Sequence, residues 1–505
     1  MQYESPLPSE AECARATRRR RRGVERCDEM RMRWRWGILG LFALGAGCNT
    51  LPEWFLPLET LSNSWLLKWN RIAVDASGLD HTPLQPGENR VFGHHLGPTR
   101  ASRAMAIVHI AMFDALNAVA GGYQSYTGIP PAPPNTSMKA AVAQAARDTL
   151  VALFPSHAAT FNAALAEDLA AIASAAARDR GVQVGQAAAT AILAMRVGDG
   201  SDDDTPWVFS NAAGHWRVDP INPTQQPIGP NWYKVRPFVM TRANQFRPPP
   251  PPPIDSVEYA AAYNEIKQIG GDGITTATTR SADQTFAGIF WAYDGTPSLC
   301  APPRLYNQIA VTIARQRRLG VVEMGRLLAL VNVAMADAGI GIWEAKYYYD
   351  YWRPVTGIRE ADPGTGPSGS GDGNPLTTGD VNWTPLGAPA SNLAGPNFTP
   401  PFPAYPSGHA GFGGALFQVL REFFGTDYLP FTFVSDEFNG MTRDNEGNVR
   451  PFRPRSFSTL SQAEDENGQS RIYLGIHWIF DKTEGIAQGR RIGSYVFANA
   501  FRSTN

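Results

Sequence analysis

Apolar residues recur every three to four positions through most of the chain, the period of helices that bury one face. From Thr99 onward Met105, His109, Met112 and Leu116 fall on one face, with Val108 and Phe113 beside them, which predicts a long helix. A shorter helix carrying Trp65 and Trp69 precedes it. Ala-rich helices are predicted over 138–154, 158–177 and 182–197, where small side chains suit close helix packing. Beyond residue 255 the pattern resumes over 256–269, 281–293 and 304–318. A longer helix over 322–351 has Leu327, Val331, Ala334 and Ala338 as its core stripe. The last helices run from His409 to Phe424, through Arg471, His477 and Asp481, and to an end near Phe501.

The gaps between these helices are long. Residues 205–255 are loop-like and aromatic and end in the six prolines Pro248 to Pro253, a stiff polyproline II connector. At that connector the sequence divides into an N-terminal helical region, 49–253, and a C-terminal helical domain, 254–505, that carries the candidate chemistry. Residues 361–403 are rich in Gly, Pro, Ser and Thr, and a loop of that length in a compact chain argues for function. A charged excursion, 436–455, reads as a hairpin.

With 505 residues, 43% hydrophobic and 18% charged, the chain is long enough for a large core, and its net charge of −1 gives no global field for nucleic acid. The charge is uneven, however. Arg15, Arg18 to Arg22, Arg26, Arg31, Arg33 and Arg35 crowd the N-terminus, and an apolar run from Trp36 to Gly47 follows directly. About a dozen apolar residues is short for a bilayer span and suits a signal segment. Leu44-Gly45-Ala46-Gly47-Cys48 resembles a bacterial lipoprotein cleavage site, with the usual leucine displaced by one. Residues 1–48 are thus read as an export segment, Met30 or Met32 making a more ordinary signal start. The protein is expected in the periplasm or outside the cell, with Cys48 as its only route to a membrane.

Several eye-catching residues have bland readings. His94 and His95 lack a third ligand at metal spacing and read as structural. His109 sits in an apolar stripe, as a hydrogen-bonded core histidine would. Asp199 to Asp204 lacks the alternating ligands of a calcium loop and reads as a solvated turn. Cys300, the one cysteine beyond residue 48, reads as a buried inert thiol.

Three segments carry chemistry. In Pro401-Phe402-Pro403-Ala404-Tyr405-Pro406-Ser407-Gly408-His409 the prolines bar a helix until Pro406, so Ser407, Gly408 and His409 open one. Unpaired N–H groups and the dipole there attract an anion, Gly408 allows close approach, and His409 can titrate near neutrality. In Lys346-Tyr347-Tyr348-Tyr349-Asp350-Tyr351-Trp352-Arg353-Pro354, Lys346 and Arg353 are almost two turns apart, about 10 Å along an axis. They can converge as an oxyanion clamp, and flanking Trp343, Tyr347, Tyr351 and Trp352 argue that they are buried. In Arg471-Ile472-Tyr473-Leu474-Gly475-Ile476-His477-Trp478-Ile479-Phe480-Asp481, Asp481 is one turn from His477 and can brace its imidazole. Arg471 is not on that face, so either its length or a helix break must bring it in.

Lys-x6-Arg-Pro, Pro-Ser-Gly-His and Arg-x5-His-x3-Asp, in this order, resemble the signature shared by vanadium-dependent haloperoxidases and type-2 phosphatidic acid phosphatases. The chain is most similar to fungal-type vanadium chloroperoxidases and their bacterial relatives, in detail over its second half. The resemblance implies an all-α fold of two packed helical bundles with long loops. It implies vanadate bound through His477, with Lys346, Arg353, Ser407, Gly408 and Arg471 around its oxygens; phosphate, another tetrahedral oxyanion, could occupy the same place in its absence. His409 would be the acid–base group for hydrogen peroxide, and Lys346 would polarise the bound peroxide before a halide attacks it. Trp343 and Phe402 match the halide pocket, Asp294 matches a carboxylate paired with an arginine of the site, and an organic acceptor would be the final partner. The superfamily alternative is an exported phosphatase with His477 as nucleophile and His409 as acid; a silent oxyanion-binding protein is a third reading. Trp343, Phe402 and the long first half favour the haloperoxidase, as does the lack after Gly47 of an uninterrupted apolar run of about 20 residues.

Overall fold

The computed structural model describes residues 63–504. The basic run, the apolar run and Cys48 lie outside them. Within the described residues the fold is helical, as the sequence pattern requires. The first half contributes α1 (Ser64–Asp80), α2 (Gly97–Ala120), α3 (Met138–Leu153), α4 (Ala158–Ala170) and α5 (Ala175–Arg196). After the loop region come α6 (Val257–Ile269), α7 (Ala282–Phe290), α8 (Pro302–Gln316) and α9 (Val321–Tyr349). The site-bearing end holds α10 (Pro354–Arg359), α11 (Gly408–Phe424), α12 (Leu460–Tyr473) and α13 (Ile479–Asn499).

Where the helices end is set by local chemistry. The expected helix over 158–177 stops at Ala170, because the Ser174 side chain accepts the Ala177 N–H and starts α5 there. The charged excursion is closed by a two-stranded antiparallel pair, β1 (Phe431–Phe433) and β2 (Arg455–Phe457), with Phe431 opposite Phe457.

Two interfaces position the site. Helix α9, buried along nearly its whole length, packs on α2 on one side and on α11 and α13 on the other. Helices α11 and α13 lie nearly backbone to backbone along Gly485, Gly489 and Gly493: a methyl group on Gly489 would run into the Gly411 carbonyl oxygen, and one on Gly493 would stand 2.7 Å from the Ala415 oxygen. That approach brings the start of α13 against the start of α11, where the Ser407 N–H donates to the Asp481 carbonyl at 2.9 Å.

By length and composition α2 and α9 could cross a membrane, which counting uninterrupted apolar residues did not anticipate. Their most apolar windows are 78% and 100% buried in the protein, so here they are core helices. The six prolines meet the segments that lead into the site, with the Pro248, Pro249 and Pro252 carbonyls accepting the Tyr349, Tyr405 and Tyr351 hydroxyls.

The residues given bland readings are mostly as expected. His109 is buried between Met105 O and Asn70 Oδ1, and the His94 and His95 N–H groups donate to Asp80. Cys300 is buried as expected, with its Sγ 3.0 Å from Ser77 Oγ, but it is not inert by isolation: against the effect of burial, the His81 imidazole pulls its thiol below the ordinary range. Asp199 differs: it is 4% exposed and accepts from Arg103 and Arg196, so this end of the 199–204 turn is a buried ion cluster and not solvated.

Candidate active site

The start of α11 is the floor of the site. Ser407 is its N-cap and accepts the Ala410 N–H, and Gly408 and His409 are its first two residues, as the proline spacing predicts. All three are buried.

Lys346 and Arg353 converge, but not along one helix. Helix α9 ends at Tyr349, Asp350 is left-handed (φ 50°), and Arg353 caps the following short α10. The helix had been expected through Tyr351; the left-handed residue turns the chain and returns the arginine to the lysine. Both cations are fully buried. Lys346 Nζ donates to the Pro403 and Ala404 carbonyls at 2.7 and 2.9 Å. Arg353 donates from Nε to Phe402 O at 2.9 Å and from Nη1 to Ile476 O at 2.8 Å. Their heads lie 5.1 and 5.0 Å from the Phe402 ring centre.

The third segment is also broken. Helix α12 stops at Tyr473, Gly475 takes φ 74°, and α13 begins only at Ile479. His477 therefore stands before a helix and not on one, and the break brings Arg471 and His477 together. The brace survives: His477 Nδ1 lies 2.8 Å from Asp481 Oδ2, which also accepts the Trp478 N–H. Arg353 Nη1 donates to His477 Nε2 at 2.9 Å. A guanidinium only donates, so Nε2 carries a lone pair and Nδ1 the proton. Burial, then Arg353, holds this imidazole well below its ordinary range, so it stays neutral.

Arg471 decides what the cavity can hold. Its Nη2 makes a two-pronged contact with Asp294, 2.7 and 2.9 Å, as the resemblance implied for that carboxylate. Its Nε and Nη1 are buried and have no partner within the protein. Buried guanidinium nitrogens demand acceptors, and Lys346 and Arg353 beside them add further positive charge. Lys346 and Arg353 are both pushed below their ordinary values, by burial first, then Lys346 by Arg353 and Arg353 by Arg471, Arg353 to about 9. A tetrahedral oxyanion supplies acceptors and negative charge at once, and a lone-pair nitrogen on His477 supplies a metal ligand. The residues present thus fit vanadate.

Above this floor a cavity of about 230 Å³ opens, lined by Asp294, Trp343, Phe402, Gly408, His409, Arg471 and His477, and further out by His81, Ile228 and the Phe398 to Pro401 strand. Trp343 and Phe402 touch, their ring centres 4.8 Å apart. Lys346, Arg353 and Ser407 sit directly behind that lining, and Asp481 behind His477. All eleven residues singled out in the sequence therefore gather in one place.

His409 faces the cavity with its Nε2 donating to the Ala292 carbonyl at 2.5 Å and standing 3.9 Å from Asp294. Burial, then Arg471, holds it well below its ordinary range, so it is a neutral base with Nδ1 free of a proton. Sequence reasoning missed its support: Tyr306 Oη and Asn467 Nδ2 both donate to the His409 carbonyl at 2.9 Å. Asn467 lies one turn before Arg471 on α12, a signal that spacing could have shown. No comparable signal marks Tyr306 or Ala292.

Among known proteins, the family model described as the second helical-bundle domain of VCPO matches residues 326–505. The vanadium chloroperoxidase of Curvularia inaequalis is 30% identical over 84% of this chain and 80% of its own length. Of solved structures, the first bacterial vanadium-dependent iodoperoxidase superposes with a TM-score of 0.68 at 23% identity, covering 87% of this chain and 97% of that one. A holo-type bacterial vanadium-dependent chloroperoxidase superposes with a TM-score of 0.62 at 18% identity, covering 86% and 96%.

Proposed function

The chain belongs to the vanadium chloroperoxidase family, and on that premise we propose that it oxidises a halide with hydrogen peroxide to hypohalous acid or a halogenated product, using vanadate. The observation that carries this reading is the lone-pair nitrogen of His477 beside the partnerless Nε and Nη1 of Arg471, all buried. His477 would ligate through Nε2, exchanging the Arg353 N–H it accepts for the metal, while Asp481 fixes its tautomer. Lys346, Arg353, Ser407, Gly408 and Arg471 would hold the oxygens. When bound, vanadate supplies Lewis acidity to the peroxide, without a change of oxidation state.

The remaining steps belong to the chain. A halide, hydrogen peroxide and a proton give hypohalous acid and water, so one group must take and return protons. His409, neutral and with Nδ1 unprotonated, is that group. Lys346, fixed by two carbonyls, would have one N–H left for the oxygens, and negative charge beside it would favour its ammonium form. Trp343 and Phe402 exclude water from the place where the halide arrives. Chloride or bromide is the halide we assign on that apolar wall, with an organic acceptor as the final partner. The N-terminal basic and apolar runs ending at Cys48 support export to the periplasm or beyond, with a lipid anchor at that cysteine.

Peroxide-dependent halogenation of a dimedone-type acceptor, with and without orthovanadate and with chloride, bromide and iodide in turn, tests the reading. Vanadate-dependent turnover is expected. Phosphomonoester cleavage that vanadate inhibits, with no halogenation, would replace it with the phosphatase, and silence in both assays would leave an oxyanion-binding protein.

A further inference from the structure

Behind the segment that carries Ala292 and Asp294 lies a buried ion cluster that the chemistry above does not use. Glu437, wholly buried, accepts from Ser391 Oγ at 2.6 Å and from Arg450 Nη1 at 2.5 Å on one oxygen. Its other oxygen accepts the Tyr293 N–H at 3.3 Å. Arg450 also donates to Ser391 Oγ at 2.8 Å, closing a triangle between the 436–455 excursion and the loop that carries Ser391. The turn at Glu437 grips the Ala292 segment twice more: Ser435 Oγ donates to Phe290 O at 2.7 Å, and the Asp436 N–H donates to Tyr293 Oη at 2.6 Å.

What is gripped is strained. Tyr293 has φ 48°, a left-handed conformation that a bulky residue adopts only where its surroundings enforce it. Its two neighbours are the residues that meet the site: the Ala292 carbonyl accepts from His409, and the Asp294 carboxylate accepts from Arg471. Burying a carboxylate is costly, and burial does push Glu437 up to about 7 against the pull of Arg450, with Asp294 adding to the rise. An apolar side chain would fill the space at less cost, but it could not hold the Tyr293 N–H.

We propose that Glu437, clamped by Arg450 and Ser391, is a positioning residue whose hold on the Tyr293 backbone fixes the Ala292 carbonyl against His409 and so sets the histidine's tautomer. The clasp works through the left-handed turn at Tyr293: released, that residue relaxes and withdraws the carbonyl from Nε2. His409 then loses its reason to keep the proton on Nε2, and the Nδ1 lone pair is no longer assured. The acid–base role of His409 rests on the function proposed above, but its tautomer does not.

The test is therefore made on vanadate-free protein. The chain has 8 histidines, few enough for ring-labelled histidine NMR, and a His409→Asn sample assigns the resonance. Wild type is expected to show His409 as a single Nε2–H tautomer, and Glu437→Gln to show a mixture. Ser391→Ala, which deletes one hydroxyl and keeps the fold, is expected to shift the mixture in the same direction by less, and it carries the test should the Gln variant not fold. In the vanadate-loaded enzyme the same variants should lose on the order of ten-fold in kcat/KM for peroxide. A His409 signal unchanged in both variants, with only a lower Tm, would make the cluster purely structural and overturn the proposal. Altered tautomers without halogenation in the wild type would keep the proposal and overturn the function.

Discussion

Helices α11, α12 and α13 carry a cluster of charge at each end, one part-exposed around a buried Glu464 and one wholly buried, and the two are built on opposite rules. At one end Arg421 reaches Asp427 at 2.7 Å and Glu464 at 2.7 Å, and Arg490 closes on the same Glu464. Two arginines face two carboxylates, and Ser461 takes a further N–H of Arg421. At the other end Lys346, Arg353 and Arg471 face Asp294 and Asp481, and the lysine has only carbonyl partners. Arg353 likewise donates to carbonyls and to His477 and to no carboxylate. A closed cluster holds helices together, whereas one left with surplus positive charge and idle donors stores an affinity for an anion. Burial differs between them, since the Asp427 and Arg490 side chains are 37% and 45% exposed while Lys346, Arg353 and Arg471 are fully buried, but partner identity decides which cluster can take an anion.

The largest expected effect attacks the open end. His477→Ala should weaken vanadate binding at least about a hundred-fold, some 2.7 kcal/mol, read by equilibrium dialysis of the vanadate-free protein. Unchanged affinity would mean that the cations alone capture the anion and that His477 is no ligand. The closed end should answer in stability instead. Arg421→Met leaves Glu464, 1% exposed, without one of its partners, and should cost about 3 kcal/mol in denaturant unfolding. A cost near zero would erase the distinction between the two ends. Vanadate at a hundred times the wild-type Kd should in turn stabilise the wild type by about 2.7 kcal/mol and His477→Ala by no more than about 0.4 kcal/mol, a difference visible as Tm.

A subtler effect concerns pH. His477 is held below its ordinary range by burial and then by Arg353, so protons should not compete with vanadate until well under pH 6.5. The sign is that of a base lowered in the folded state: the unfolded chain takes the proton first, and stability falls as pH drops below 6.5. Arg353→Gln removes one neighbouring charge, so the imidazole should rise while burial still holds it below its ordinary range, and the acid limb of vanadate affinity should move to higher pH than in the wild type. An unmoved limb in that variant would assign the lowered value to burial alone.

Much of this site was legible because its parts are local. Proline spacing placed the start of α11 at Ser407, and the four-residue step from His477 to Asp481 gave the brace. How the parts meet was less so. Left-handed Asp350 and Gly475 break what reads as continuous helix, and neither residue type compels that conformation in a regular apolar pattern. The glycine strip on α13 acts only through its partner carbonyls on α11. Glu437 was invisible because its three partners, Tyr293, Ser391 and Arg450, are far apart in sequence and share no spacing. Local chemistry shows in a sequence, and closure between distant segments shows only once the chain is folded.

The smallest expected effect is the sharpest test of the contrast. Lys346 is fully buried, and burial followed by Arg353 pushes it well below its ordinary value. Replacing a buried cation that has no carboxylate partner with an apolar side chain of similar length removes a desolvation cost and leaves no opposite charge stranded. Two carbonyls, of Pro403 and Ala404, lose a donor, which costs about 1 kcal/mol each. The two terms nearly cancel, so Lys346→Met should change the unfolding free energy of vanadate-free protein by no more than about 1 kcal/mol in either direction. The same variant should lose vanadate affinity and halogenation, since the charge matters only when an anion is present. A loss of about 3 kcal/mol, equal to that of Arg421→Met, would show that Lys346 already serves the fold, and the open end would then be another closed cluster.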